Sequence, residues 1–144
     1  QRQMCIETAA AEAAQKVNGK VIGVDTDQSA VIDGGYGEGM TVTSAMKGLA
    51  PTVKHMLSEV VAGNFANYGG KIETLGLVSA DDPSANYVQL PLETTQWADG
   101  KFTVEDYTAL VADMFNGKVK VSNDTTVEPT VSNIAVNYLG NIKG

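Results

Sequence analysis

The feature that most constrains the fold is a short apolar run, KVIGV at residues 20–24, which has the length of a β-strand. The alanine-rich segment 4–18 before it favours a helix, and Asn18-Gly19 is a typical helix end. The acidic loop Asp-Thr-Asp-Gln follows at residues 25–28. A helix, a tight turn, an apolar strand and a polar loop, in this order, are typical of α/β proteins with parallel sheets. We therefore expect an α/β fold in which residues 20–24 form an internal strand.

A second strand and a second helix are predicted next. Residues 29–39, SAVIDGGYGEG, contain four glycines and show no periodicity, which predicts a loop. Residues 40–47, MTVTSAMK, begin with alternating β-branched residues and predict a strand. Pro51 suits the first turn of a helix, which is expected to end near Asn64. One face of this helix is expected to carry Val53, Met56, Leu57, Val60 and Val61.

The remainder of the chain continues to alternate between predicted strands and helices. Apolar or alternating runs predict strands at residues 71–78, 118–121 and 134–138, and a short extended piece at 87–92. Thr103 is predicted to cap a final helix, because residues 103–106, TVED, resemble a capping box with Asp in place of Glu. The buried face of this helix is expected to comprise Val104, Tyr107, Leu110, Val111, Met114 and Phe115.

The composition excludes several classes of partner. Ten basic and seventeen acidic residues give a net charge of −7, and 43% of the residues are hydrophobic. Such a chain is long enough for one domain with a core. Because the negative charge is not offset by a basic stripe, we expect no nucleic-acid partner and no binding to anionic lipid. The sequence also lacks the run of about 18 apolar residues that a transmembrane helix needs.

Two carboxylates are the main candidate site residues. Asp25 and Asp27 directly follow the predicted strand, and ligands of open α/β sheets bind beyond the carboxyl ends of the strands. A carboxylate there can accept hydrogen bonds from sugar hydroxyls. It can also hold Mg²⁺ or accept a phosphoryl group. The third interpretation is purely structural, an aspartate that caps the backbone of its own turn.

Other reactive residue types are scarce. His55 is the single histidine and Cys5 the single cysteine, so neither a zinc site nor a catalytic triad is predicted. The glycines of residues 29–39 lack the Gly-Lys-Ser/Thr that ends a phosphate-binding loop. We therefore predict no catalytic residue, no metal site and no cofactor. Four aromatic residues can either stack on a flat ligand or serve as packing groups: Tyr36, Tyr68, Tyr87 and Trp97.

The segment VIGVDTDQ at residues 21–28, followed twelve residues later by MTVTSAMK and a helix, resembles the basic membrane protein family. Members of that family typically read GVDSDQ, then a loop, then VLTSMxK, then a helix. GGKIETLGL at residues 69–77 and FTVEDYTALVADMFNGKVKV at residues 102–121 also resemble family segments. The resemblance covers most of residues 5–121, and GVDTDQ is its most specific part.

This resemblance implies a fold and a function. Family members are substrate-binding lipoproteins of ABC importers with the type I periplasmic-binding-protein fold, in which two three-layer, parallel-sheet α/β lobes close on a solute. The chain would be the C-terminal portion of such a protein, with residues 1–39 in the second lobe, residues 40–47 as a hinge strand and residues 48–144 as the remaining elements. Asp25 would accept hydrogen bonds from ribose hydroxyls, with Asp27 as the second choice. Such proteins bind and deliver a solute, and no catalysis is implied.

The resemblance also implies partners and a location. The solute would be a purine nucleoside or a similar molecule, and the protein partner would be an ABC transporter permease. The location would be extracytoplasmic, with membrane attachment only through a lipid anchor on a preceding N-terminal part, and the portion represented here would pair as a homodimer or swap elements. Where the family often has a lysine after its Tyr-Gly-Leu strand, this chain has Val78 after Leu-Gly-Leu. The rival hypothesis is a Mg²⁺-dependent phosphotransfer or phosphohydrolase domain that uses Asp25 and Asp27 with a nearby Lys, Ser or Thr.

Overall fold

A computed structural model describes residues 2–124, 126–128, 130–133, 135–136 and 140, and for residues 2–6 it describes the backbone alone. The described residues form a mixed α/β fold with a small sheet. The elements in chain order are α1 (Arg2–Lys16), β1 (Val21–Asp25), α2 (Ser29–Tyr36), β2 (Thr41–Lys47), α3 (Leu49–Val61), β3 (Val88–Gln89) and α4 (Val104–Phe115). Within these residues, each helix is too short or too polar to cross a membrane.

The sheet has β2 in its centre, between β1 and β3. The expectation that residues 20–24 form an internal strand is therefore wrong for the described sheet, in which β1 is an edge strand and its residues Ile22 and Val24 are exposed. β1 runs parallel to β2, with Gly23 opposite Ser44, which confirms the predicted parallel pairing of the first two strands. β3 runs antiparallel to β2, with Val88 opposite Lys47, so the described sheet is mixed rather than wholly parallel. Because β1 and β2 are parallel, their carboxyl ends lie at the same edge of the sheet.

The predicted loop at residues 29–39 is wrong, because residues 29–36 form α2. Ile32 is buried and anchors this helix. The helix ends at Gly37, whose φ of 118° is open to glycine and unfavourable for other residues. The sequence did not predict this helix, because its glycines have a low helix propensity. The burial of Ile32, which stabilises the helix, depends on tertiary contacts that the local sequence does not reveal.

The strands predicted at residues 71–78 and 118–121 are also wrong, because neither segment forms a strand within the described part of the chain. The second edge of β2 is instead occupied by β3 and by Gln96, whose backbone N–H donates to the carbonyl of Val42 over 2.8 Å. The extended piece predicted at 87–92 is confirmed in part, because its residues Val88–Gln89 form β3. The strand predicted at 134–138 falls largely outside the described residues.

Helix α4 confirms its predicted start and part of its predicted face. Thr103 and Asp106 form the complete capping box, each side chain accepting a hydrogen bond from the other residue's backbone N–H. Tyr107 and Val111 are buried, and the ring of Trp97 lies 5.7 Å from that of Tyr107. Trp97 is therefore a packing group of this cluster.

Helix α3 has its predicted bounds to within a few residues, and its apolar face is largely exposed on the described part of the chain. None of its residues is buried against the described part of the chain, and the side chain of Leu57 is 60% exposed. Periodicity identifies the apolar face of a helix, whereas burial requires a surface opposite that face. The described chain does not supply this surface.

Candidate functional site

Asp25 ends β1 in an unusual backbone conformation. Its φ is 74°, and the N–H of Thr26 donates to the carbonyl of Val24 over 3.0 Å. A hydrogen bond from residue i+2 to residue i, around a central residue with positive φ, defines the rare and strained class of γ-turn. Aspartate is one of the few residue types that tolerate this region, and strained residues cluster at ligand-binding sites. The strained turn therefore indicates Asp25 as a candidate ligand-binding residue, independently of the sequence motif.

Lys47 is the partner of Asp25 across the sheet edge. The Nζ of Lys47 lies 2.6 Å from Oδ1 of Asp25, and the two side chains are 65% and 24% exposed. The contact arises because both residues end neighbouring parallel strands. Sequence reasoning missed Lys47, although its position as the last residue of the second predicted strand was the available signal.

The backbone at Lys47 is held in place by its neighbours. Lys47 pairs with Val88 in the antiparallel ladder, and the N–H of Gly48 donates to the carbonyl of Tyr87 over 2.8 Å. A β-carbon at residue 48 would overlap the carbonyl oxygen of Asn86 and lie 2.8 Å from Cα of Tyr87. Glycine is therefore required at residue 48 for this close approach, which fixes the base of the Lys47 side chain.

Asn86 holds the segment that leads into β3, the strand that pairs with the end of β2. It is fully buried, its Oδ1 accepts hydrogen bonds from the N–H groups of Val78 (2.6 Å) and Ser79 (2.9 Å), and its Nδ2 donates to the carbonyl of Ser79. The side chain thus ties residues 78–79 to the start of β3. The sequence around Asn86 contains no pattern that predicts this role.

Asp27 lies just beyond Asp25, but its carboxylate oxygens already accept hydrogen bonds. Oδ1 accepts from the backbone N–H of Ser29 (3.0 Å) and Oδ2 from the hydroxyl of Thr94 (2.8 Å). Burial raises the pKa of Asp27, but these hydrogen bonds outweigh it and hold the pKa below its ordinary value. Asp27 thus makes the backbone contact of the structural interpretation, and its role as a second ligand contact stays a prediction.

Gly23 and Gln28, two further residues of the VIGVDTDQ segment, have structural roles. The Oε1 of Gln28 accepts a hydrogen bond from the N–H of Val24, and the N–H of Gln28 donates to the hydroxyl of the buried Ser44. A β-carbon at residue 23 would lie 2.5 Å from Oγ of Ser44. Close packing of this turn against β2 therefore requires glycine at residue 23.

Residues 94–96 lie against the central strand. Besides the contact of Thr94 with Asp27, the hydroxyls of Thr95 and Thr43 lie 2.7 Å apart. The Nε2 of Gln96 donates to the carbonyl of Thr41 over 2.7 Å. These contacts hold the loop after β3 against the sheet and keep Thr94 beside Asp27.

The environment of His55, the single histidine, is aromatic. The ring of His55 makes edge contacts with those of Tyr68 and Tyr87, at 5.7 and 6.4 Å between centroids. Among the residues that the structure describes, no three His, Cys, Asp or Glu side chains are grouped so that they could hold a metal ion. His55 is thus a packing partner of two tyrosine rings.

Comparison with protein-family models, curated proteins and solved structures finds no match for this chain. Two kinds of observation remain for a functional assignment. One is the geometry at the carboxyl ends of β1 and β2. The other is the resemblance carried by residues 21–28 and 40–47.

Proposed function

We propose that this chain belongs to an extracytoplasmic solute-binding protein of an ABC importer and that it binds a nucleoside-like small molecule in a cleft between two lobes. One observation carries this proposal. Asp25 ends β1 beside the parallel strand β2, at the edge where α/β sheets bind their ligands. The VIGVDTDQ motif, whose sequence resembles the basic membrane protein family, contains the same residue.

The chemistry of Asp25 fits hydroxyl recognition. An ionised carboxylate accepts hydrogen bonds through both oxygens and donates none, which matches the two neighbouring hydroxyls of a ribose. Oδ1 is buried and faces Lys47, so a solute would approach the exposed remainder of the side chain, which is 24% exposed in all. Hydrogen bonds to a charged group are stronger than neutral ones, so this residue can carry a large share of the binding free energy.

The proposed architecture is the C-terminal portion of a two-lobe receptor. Residues 1–39 would belong to the second lobe, residues 40–47 would cross between lobes as a hinge strand, and residues 48–144 would supply the remaining elements. Exposed apolar side chains on β1, namely Ile22 and Val24, support a further layer over the sheet. That layer would come from the other elements of a three-layer lobe, or from a second copy in a homodimer or swapped arrangement.

The proposed partners follow from this role. The solute would be purine-nucleoside-like, and the receptor would deliver it to the permease of the transporter. Membrane attachment would occur through a lipid anchor on a preceding part of the polypeptide. No reaction, cofactor or metal is required, because binding and closure are sufficient for delivery.

Calorimetric titration of a purine nucleoside into the intact polypeptide tests the proposal. We expect Asp25→Ala to lose about 1.5–3 kcal/mol of binding free energy, the scale of a hydrogen bond to a charged group. Asp25→Asn should lose a comparable amount while retaining the shape of the side chain. Asp113→Asn, which removes an ion-paired carboxylate on α4, is the matched control and should bind as the wild type does. Unchanged affinity in both Asp25 variants would reject the assignment.

A second function is favoured by one specific contact. A Mg²⁺-dependent phosphotransfer or phosphohydrolase domain needs a lysine near its aspartates, and Lys47 contacts Asp25. Against it, both oxygens of Asp27 already accept hydrogen bonds, and the described residues contain no cluster of three acidic or imidazole ligands. This second function predicts that the wild-type protein binds Mg²⁺, which delivery of a neutral solute does not require.

A further inference from the structure

We propose a second ligand site at the amino ends of β1 and β2, where a cavity of about 370 Å³ takes a small zwitterion, namely a free α-amino acid. Lys20 and Met40, which line this cavity, directly precede the two parallel strands. Asp25 lies at the other end of β1, about 16 Å along the strand from Lys20. The site is therefore separate from the one at Asp25, and the inference does not rest on the proposed function.

Two side chains of opposite charge line the cavity. Lys20 contributes an ammonium and Glu38 a carboxylate, and both residues are exposed. Within the part of the chain that the structure describes, these two groups do not form an ion pair with each other. A zwitterion offers a carboxylate to the lysine and an ammonium to the glutamate, so it satisfies both groups without adding net charge.

Lys20 is held in position by Gln96. The Nζ of Lys20 donates to Oε1 of Gln96, while Nε2 of Gln96 donates to the carbonyls of Gly39 (2.9 Å) and Thr41 (2.7 Å). The same glutamine therefore ties the lysine to the segment that carries Glu38. Because an ammonium offers three donors, Lys20 can keep this bond and still donate to the carboxylate of a ligand.

The ends of two helices form another wall of the cavity. Helix α1 ends at Lys16 and α2 at Tyr36, and Nε2 of Gln15 joins the two ends by donating to the carbonyl of Tyr36 over 2.9 Å. The last carbonyls of a helix lack partners within the helix, and helix C-termini carry a partial negative charge. This wall favours the ammonium of the ligand, as Glu38 does, whereas Lys20 favours its carboxylate.

The size and the lining of the cavity limit the ligand. Pockets for small molecules range from about 300 to 1,000 Å³, so this cavity is at the small end of the range. Tyr36 and Met40 supply apolar atoms that can contact a short side chain. We therefore expect a small amino acid rather than a nucleotide or a peptide.

An NMR chemical-shift titration of L-alanine into the intact polypeptide tests the inference, because amide signals report both the affinity and the place of binding. We expect saturable shifts at Lys20 and at residues 38–40 in the wild type. Lys20→Met and Glu38→Gln should each weaken binding about tenfold or more, since each removes one charged partner of the ligand. Lys20→Arg keeps the positive charge and should retain most of the affinity. Unchanged signals elsewhere in the spectrum verify that each variant is folded.

The exposed ion pair between Lys118 and Asp113 provides matched controls. Lys118→Met and Asp113→Asn change the net charge as Lys20→Met and Glu38→Gln do, but they alter residues that do not line the cavity. Both variants should bind L-alanine as the wild type does. Asp25→Asn should do so as well, because Asp25 lies at the other end of β1.

Three results would overturn the inference. A wild type without saturable shifts at residues 20 and 38–40 would show that no amino acid binds there. Acetate or methylamine, each of which carries one of the two charges, would disprove the zwitterion by binding as tightly as L-alanine. Loss of L-alanine binding in Asp25→Asn would place the amino acid at the Asp25 site. Failure of a purine nucleoside to bind would reject the proposed function and leave this second site unaffected.

Discussion

The end of β1 and the helix that follows it use the same residue type in different ways. At the strand end, Asp25 occupies a strained turn and contacts an exposed lysine side chain. Around α2, Asp27 and Asp33 accept hydrogen bonds from backbone N–H groups, and those to Asp33 come from Gly39 (3.0 Å) and Thr41 (2.8 Å). Carboxylates that satisfy backbone donors stabilise the fold. Asp25 instead contacts a lysine side chain that is itself largely exposed.

The titration behaviour of Asp33 agrees with a structural role. Burial raises the pKa of Asp33, but hydrogen bonds from Thr41 and Gly39 outweigh it and hold the pKa below its ordinary value. Thr41 is buried, so its N–H would lack solvent as well as a partner if Asp33 were removed. A lowered pKa in the folded state means that the ionised carboxylate stabilises the fold.

The largest expected effect on stability is that of Asp33→Ala. We expect a loss of about 2–3 kcal/mol at neutral pH, because a charged acceptor is removed and the N–H of the buried Thr41 is left unsatisfied. The stabilisation by ionised Asp33 is present above the ordinary aspartate pKa and is lost as the pH falls through the lowered pKa of the folded protein. Urea titrations at about pH 7 and about pH 3 should therefore show a smaller difference between wild type and variant in acid. A difference that widens in acid would contradict this role.

A smaller effect is expected for Asp27→Ala. Its contacts with Ser29 and Thr94 lie at the surface, so we expect a loss of about 1 kcal/mol. A double-mutant cycle with Thr94→Val should show coupling, because both substitutions remove the same hydrogen bond. If the stability losses of the two single variants add up to the loss of the double variant, the hydrogen bond between Thr94 and Asp27 contributes no free energy. Asp27 would then differ less from Asp25 than proposed.

The smallest expected effect concerns the strain at Asp25. Replacing Asp25 by Gly removes the strain but also a weak exposed ion pair, so stability should change by no more than about 1 kcal/mol. Asp25→Ala keeps the unfavourable φ and should be less stable than Asp25→Gly by about 0.5–1 kcal/mol. Thermal unfolding of the two variants measures this difference. Equal stability of Ala and Gly at this position would show that the γ-turn stores no strain.

Local patterns in the sequence were sufficient for the elements that local interactions define. The strand at residues 20–24 was predicted from its apolar run, and α4 from the capping box at Thr103. Helix α2 could not be predicted, because its stability depends on the burial of Ile32 and on the hydrogen bonds of Asp33 to Gly39 and Thr41. These contacts form only once the chain has folded.

The same distinction applies to the candidate site. Asp25 was predicted from its position after an apolar strand, which is a property of neighbouring residues. Lys47 is 22 positions away and meets Asp25 only through the parallel register of β1 and β2. The apolar face of α3 was predicted from its periodicity, but its exposure could not be, because the sequence of a helix carries no information about what lies opposite it.

The central claim is that the carboxylate of Asp25 binds solute hydroxyls, and one calorimetric cycle tests it most directly. A purine ribonucleoside and its 2′,3′-dideoxy analogue are titrated into wild type and into Asp25→Asn. We predict that the wild type prefers the ribonucleoside by about 1.5–3 kcal/mol and that the variant binds both compounds equally weakly. The same preference in the variant as in the wild type would place the hydroxyl contacts elsewhere and contradict the claim.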